Sequence, residues 1–358
     1  MYYTHERNYG CRLNDELTYR GLRVLVMENE VIRVSILLDQ GTDIYEFLHK
    51  PTDTDFMWRS PAGVRNPAAA APSSYLNGGS FSEYYEGGWQ ELVPQGGGRC
   101  DYKGADLGQH GEVFGLPWKH AVLADSPECI SVKTWVRCVR TPFLLEKTFT
   151  LRSGAGVLEI EETLTNEGRV AMDLMWGHHP AFGPPFLDAS CRVYAPPSTV
   201  YCDANRGDQA RFEPGLEFPW PIGPGVQGEA VDASLITPPE DGVSDMLFLT
   251  NLTAGWYGVT NHNKGVGFGM AFDTEVFKHL WYWLSLGGTM DAPSWGRNYV
   301  MALEPFSSYP GTLSEVIKWG NQMVMEPGEV KQTWLRAVAY EGGAISGIDA
   351  SGAVSFAP

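Results

Sequence analysis

Val157-Leu158-Glu159-Ile160-Glu161-Glu162-Thr163-Leu164-Thr165-Asn166 decides the fold class of this chain. Leu158, Ile160, Glu162 and Leu164 fall on one face, and Glu159, Glu161, Thr163 and Thr165 on the other. That period of two is the signature of a half-buried strand. Asn166-Glu167-Gly168 supplies the turn. Val170 to Trp176 then runs into Trp176-Gly177-His178-His179-Pro180-Ala181-Phe182. Glycine, proline and aromatic residues disfavour a helix there and suit a strand entering a tight loop.

The same pattern recurs on both sides. Leu22 to Val26 and Val31 to Leu38 read as a hairpin across Glu28-Asn29-Glu30, and Ile130 to Val139 pairs with Phe143 to Leu151 across Thr141-Pro142. Short strands follow at Met246 to Leu249, Trp256 to Thr260, Val266 to Phe272, Lys278 to Leu286 and Tyr299 to Glu304, and a long one at Gln332 to Tyr340. Ser314 to Trp319 reads as a short strand or turn, and Ser60 to Ser80 as a long loop. No helical period is sustained over about 12 residues, and no repeat is visible. The pattern predicts an all-β protein, a large antiparallel β-sandwich forming one domain over residues 1–341. Residues 342–358 form a C-terminal hairpin or flexible tail.

Composition agrees. With 358 residues, 43% of them apolar, the chain can bury a sizeable core, and its 41 glycines and 24 prolines are spread as many turns would spread them. The formal charge of −17 repels phosphate backbones, which argues against nucleic acid and favours a neutral small molecule. The six cysteines include no CxxC pair and read as reduced, buried thiols. The start, Met1 to Arg7, lacks the apolar run of a leader, and no window is long and apolar enough to cross a bilayer. A cytoplasmic protein with no membrane partner, monomeric or homodimeric, is the expectation.

Three short stretches carry candidate chemistry. His179 closes a strand, and histidine exchanges protons near neutrality. His110 lies in Gly108-Gln109-His110-Gly111-Glu112, where Gly111 allows close backbone approach. Glu304 ends the apolar run Met301-Ala302-Leu303, and desolvation there would raise its proton affinity, as suits a general base. Two histidines and a glutamate are also a metal-ligand set. His178 and His179 cannot readily chelate together, because neighbours on a strand point to opposite faces. No metal and no cofactor is therefore expected. Gly96, Gly97 and Gly98 lack the Lys-Ser/Thr of a phosphate loop, and no GxSxG marks a serine nucleophile. Trp89, Trp118, Trp176, Trp281, Trp283 and Trp295 offer faces for an apolar ring surface, and Arg297, Asp273 and Glu91 offer hydroxyl-binding groups.

From about Asn29 to Tyr340 the chain resembles the aldose 1-epimerase (galactose mutarotase) superfamily. The resemblance rests on Gly41 to Phe47, His110-Gly111, the Val157 to Asn166 strand with its Thr165-Asn166-Glu167-Gly168 end, His179-Pro180-Ala181-Phe182, and Glu304. It implies a β-supersandwich with the site in a cleft on one sheet. By the same resemblance His179 is the general acid, Glu304 the general base and His110 the histidine near the ring oxygen of a monosaccharide. Asp273 and Arg99 are looser matches to the sugar-binding Asp and Arg, and His178, Trp89, Glu91, Trp176 and Trp283 complete the expected substrate shell. Three departures mark a divergent branch: no arginine closely follows Gly111, Gly183 stands where many mutarotases carry asparagine, and the Gly87 to Pro94 block is foreign to the best-known pattern. The implied activity is interconversion of the anomers of a free sugar by acid–base ring opening. The alternatives are a non-catalytic carbohydrate-binding protein of the same fold and a hexose-phosphate epimerase.

Overall fold

A computed structural model describes residues 7–69, 71–72, 79–205 and 207–358. Residues 1–6, on which the leader reading rests, lie outside that set, as do residues 70 and 73–78 of the expected Ser60 to Ser80 loop.

Two antiparallel sheets, of 12 and 8 strands among the described residues, face each other. The first runs Arg12–Tyr19, Leu22–Glu28, Ile32–Leu37, Asp43–His49, Trp89–Leu92, Gly177–Phe182, Tyr299–Phe306, His279–Leu286, Val243–Thr250, Thr199–Cys202 and Glu217–Pro219, with Thr54–Asp55 pairing off the path. The second runs Cys191–Tyr194, Trp256–Asn261, Val266–Phe272, Val330–Glu341, Val157–Asn166, Phe143–Arg152, Cys129–Arg137 and Lys119–Asp125. Leu158, Ile160, Glu162 and Leu164 are buried while their neighbours are partly or fully exposed, so the alternation read from the sequence is the alternation of the sheet.

The core lies between the sheets. Phe268 of the second sheet meets Phe47 and Phe182 of the first, and Phe56 just past Thr54–Asp55, with ring centroids at 5.2, 5.1 and 5.7 Å. A side chain of that size contributes about 1.5–3 kcal/mol on full burial. All six cysteines are free thiols. No helix of the described residues is long and apolar enough to cross a membrane.

Two elements differ from the sequence reading. Leu313–Trp319 is an α-helix, started by a capping box in which Thr312 and Glu315 satisfy each other's backbone N–H groups and ended by left-handed Gly320. Gly79–Tyr84 is a helix at the end of the expected loop. The C-terminal residues form a hairpin, Ile345–Ile348 with Val354–Phe356. Ile345 and Ile348 pack with Trp256, Val338 and Tyr340 on the outer face of the second sheet. Gly258 and Gly269 make the seats: a Cβ on either would lie 2.3 Å from a Cδ1 of these isoleucines.

Candidate active site

The first sheet gathers the site through one row of cross-strand neighbours. Trp281 stands opposite Phe248 and Glu304, and Phe248 opposite Tyr201. The register that pairs Gly177 with Phe306 and Ala181 with Ala302 sets His179 opposite Glu304. His179 in turn stands opposite Gln90. Directly opposed residues on antiparallel strands share a face. Tyr201, Phe248, Trp281, Glu304, His179 and Gln90 therefore share one face of the sheet, and residues far apart in sequence become neighbours.

A cavity of about 380 Å³ opens on that face, and His110, His179 and Glu304 all line it. His179 Nε2 lies 3.6 Å from Glu304 Oε1. The His110 and His179 rings are 5.4 Å apart. Trp283 packs beside His179 at 5.7 Å, and the Tyr85 hydroxyl is 3.4 Å from His179 Nδ1. Phe81 meets the His110 ring edge-on at 4.3 Å.

Local backbone geometry explains the His110-Gly111 pair. His110 has φ of 61° and Gly111 of 79°, both left-handed. A Cβ on Gly111 would fall 2.3 Å from the Val93 carbonyl oxygen, so only glycine fits. The turn lets His110 Nδ1 donate to the Gly96 carbonyl, which leaves Nε2 as an acceptor, with the Gln109 Nε2 donor 3.3 Å away.

Burial sets the proton affinities. It raises the Glu304 carboxyl well above its usual range. It lowers His179 to about 4 and, with help from the His179 charge, lowers His110 to about 3. At neutral pH the uncharged forms are favoured, a carboxylic acid beside neutral imidazoles. The Glu304–His179 pair then holds one proton that either group can carry.

The remaining expected residues lie elsewhere. His178 and His179 point to opposite faces, as strand alternation demands. His178 is buried between the sheets, where Trp89 Nε1 donates to its Nδ1 at 3.1 Å and its Nε2 faces Glu162 Oε2 at 3.1 Å. Glu91 and Trp176 share that interior, with Trp176 Nε1 donating to Glu91 Oε1 at 2.8 Å and Lys147 Nζ at 2.6 Å from Glu91 Oε2. Glu91, Glu162 and His178 hold ligand-type atoms within 4.8 Å of one another. A metal there would have to displace the Lys147 ammonium and the Nε2 proton of His178, so the set is a packed ion network. His178, Trp89, Glu91 and Trp176 thus do not reach the cavity. Arg99 points away from it to Asp106, 2.7 Å distant. Asp273 sits in the turn after Val266–Phe272, accepting from the Glu275 N–H at 2.9 Å. Of the expected substrate shell, only Trp283 lines the cavity.

Sequence reading missed Phe81, Tyr85, Gln109, Asp203, Phe248, Ser294 and Asn298 in the wall. Phe248 and Asp203 would have followed from the strand order, which periodicity does not supply. Gly183 also has a structural reason: a Cβ there would meet Trp58 Cδ1 at 2.1 Å, so Trp58 fills the place an asparagine side chain would need.

Two facing sheets with the cavity on one of them define a galactose mutarotase-like fold. A protein from Klebsiella pneumoniae provisionally named an aldose 1-epimerase matches with a TM-score of 0.74 at 18% identity, over 93% of this chain and 83% of that one. A galactose mutarotase-like protein from Clostridium acetobutylicum matches with a TM-score of 0.60 at 14% identity, over 93% and 99%. A galactose mutarotase related enzyme from Lactobacillus acidophilus matches with a TM-score of 0.58 at 18% identity, over 89% and 97%. No curated protein matches the sequence. Residues 19–338 match the family described as a domain of unknown function, DUF4432, and the chain belongs to that family.

Proposed function

We propose that the protein interconverts the anomers of a free, uncharged sugar, with Glu304 and His179 as the proton-transfer pair and His110 as a hydroxyl-binding acceptor. The observation that carries this reading is the convergence of the three side chains on one cavity, with His179 Nε2 3.6 Å from Glu304 Oε1. The anomeric and ring oxygens of a cyclic sugar are bonded to the same carbon, so a donor and an acceptor side by side can address both.

The protons balance. In the carboxylate–imidazolium form, Glu304 takes the anomeric hydroxyl proton as His179 protonates the ring oxygen. The C1–O5 bond breaks and C1 becomes an aldehyde. The pair is now in its uncharged form, the one burial favours. Rotation about C1–C2 and the reverse transfers close the ring on the other face. Nothing is oxidised, and each positioned group contributes about 10²–10⁴-fold.

The wall supports an uncharged ligand. Phe81, Tyr85, Trp281 and Trp283 offer ring faces and edges, and no lysine or arginine is among the described lining residues. A phosphorylated sugar would lack the charged hydrogen bonds that usually hold phosphate. Exchange NMR between the α and β anomers of a panel of free aldoses tests the proposal. Catalysed exchange of at least one sugar is expected. Saturable binding without exchange would support the non-catalytic alternative, and neither binding nor exchange would overturn the reading.

A further inference from the structure

Among the described residues, the side chain that meets His179 Nδ1 is Tyr85, whose hydroxyl oxygen lies 3.4 Å away. The two rings meet edge to face, with centroids 5.6 Å apart at 87°. Tyr85 directly follows the helix Gly79–Tyr84, and its N–H donates to the Phe81 carbonyl at 2.8 Å. That helical spacing sets Phe81 and Tyr85 side by side. Their rings stack at 4.8 Å and 25°. Each ring then touches one histidine, Phe81 the His110 ring and Tyr85 the His179 ring. Trp58 also packs on Tyr85, at 5.6 Å. Aromatic packing thus fixes where the hydroxyl lies.

The proton pair makes a demand on that hydroxyl, an argument that rests on the acid–base reading of Glu304 and His179. His179 Nε2 faces Glu304 Oε1 at 3.6 Å. When Glu304 holds the shared proton, Nε2 must be bare to receive it. A neutral imidazole with a bare Nε2 carries its proton on Nδ1. When the pair is charged, both nitrogens carry protons. Nδ1 is therefore a donor in both states. In the opposite tautomer Nε2 is already protonated, and Glu304 has nowhere to pass its proton. His179 is only 5% exposed, so an Nδ1–H without an acceptor would carry the full penalty of a buried, unsatisfied donor.

Tyr85 supplies the acceptor. Desolvation holds its phenol well above the usual range, so the hydroxyl stays neutral. Its oxygen can accept from Nδ1 while its own O–H is left for the cavity that it lines. The main-chain carbonyl of His179 also favours a protonated ring, and a carbonyl can only accept. We propose that Tyr85 is a positioning residue for the acid–base pair: its hydroxyl accepts from His179 Nδ1–H, fixes that tautomer, and keeps Nε2 as the nitrogen that exchanges a proton with Glu304 and the sugar.

The ring ¹⁵N shifts of His179 read the tautomer without any turnover. Full-length protein labelled with ¹⁵N-histidine is recorded at neutral pH, with the His179 signals assigned by their loss in His179→Gln. Wild type should show a protonated Nδ1 and a bare Nε2. Tyr85→Phe keeps the stacked ring and removes only the oxygen. It should move His179 toward the Nε2–H tautomer and lower kcat for anomer exchange by about 10–100-fold, as loss of a partner that orients a functional imidazole does, with a smaller change in KM. Thermal melts of both proteins check that the fold is kept. A bare Nδ1 in the wild type would overturn the proposal, because Tyr85 would then be the donor. A folded Tyr85→Phe protein that keeps either the wild-type tautomer or the wild-type kcat would overturn it too. If no aldose exchanges in the wild type, the proposed activity fails, and the shifts alone decide the role of Tyr85.

Discussion

Replacing Glu304 by glutamine is the sharpest perturbation of the proposed chemistry. The two side chains have nearly the same shape, and residue 304 is only 2% exposed, so packing should survive. What disappears is the proton acceptor 3.6 Å from His179 Nε2. A positioned acid–base group is worth about 10²–10⁴-fold, or roughly 3–5 kcal/mol of barrier. The expected loss is of that size in kcat, with little change in KM. Stability should move the other way. Burial raises the folded-state pKa of Glu304, so its contribution to stability is complete below the unfolded value near 4.3 and is lost as pH rises through the folded value. Glu304→Gln carries no such penalty and should unfold at an equal or higher urea midpoint than the wild type at pH 9. Anomer-exchange NMR on a sugar the wild type turns over gives the rate, and urea titrations at pH 6 and pH 9 give the stability. An unchanged kcat would refute the assignment. So would a rate loss that tracks loss of folded protein.

Four further outcomes follow from the geometry. As pH falls through about 4, His179 gains a proton while Glu304 already holds one, so kcat/KM should be flat near neutrality and drop below that value, with circular dichroism confirming a folded chain. Gly111→Ala forces a Cβ to 2.3 Å from the Val93 carbonyl at a left-handed φ and should cost at least about 1–3 kcal/mol in a urea titration. Lys147→Met strips the ammonium from buried Glu91 and should cost about 3–5 kcal/mol, read as a fall in thermal stability. Arg99→Ala should leave kcat/KM within about twofold, because the guanidinium pairs with Asp106 outside the cavity and such exposed pairs contribute little.

The sequence made the strands legible because one face of each is dry. Val157–Asn166 announces its sheet face residue by residue, including Glu162, which the structure shows to be a partner of His178. His179, His110 and Glu304 were also legible, each as a polar side chain at a strand end or beside a glycine. Their neighbours were not. Phe248 joins the site only through register, and register depends on which strands pair, which no local pattern encodes. Arg99, a loose match to the sugar-binding arginine of the resemblance, precedes Cys100–Tyr102 and pairs outward with Asp106. Leu313–Trp319 was misread although Thr312 and Glu315 carry a visible capping signal; seven residues are too few for periodicity to show.

The position of the last long strands has a consequence for biosynthesis. Tyr299–Phe306 lies between Gly177–Phe182 and His279–Leu286, and Val330–Glu341 lies between Val266–Phe272 and Val157–Asn166. Both sheets thus receive an interior strand from the final fifth of the polypeptide. A nascent chain still lacking that segment has four unpaired β-edges in addition to the end strands of the two open sheets, and such edges template aggregation. Folding must then wait for the ribosome to finish, and the many distant contacts make it slow. Nonsense or frameshift lesions anywhere upstream should yield insoluble material rather than a smaller working protein.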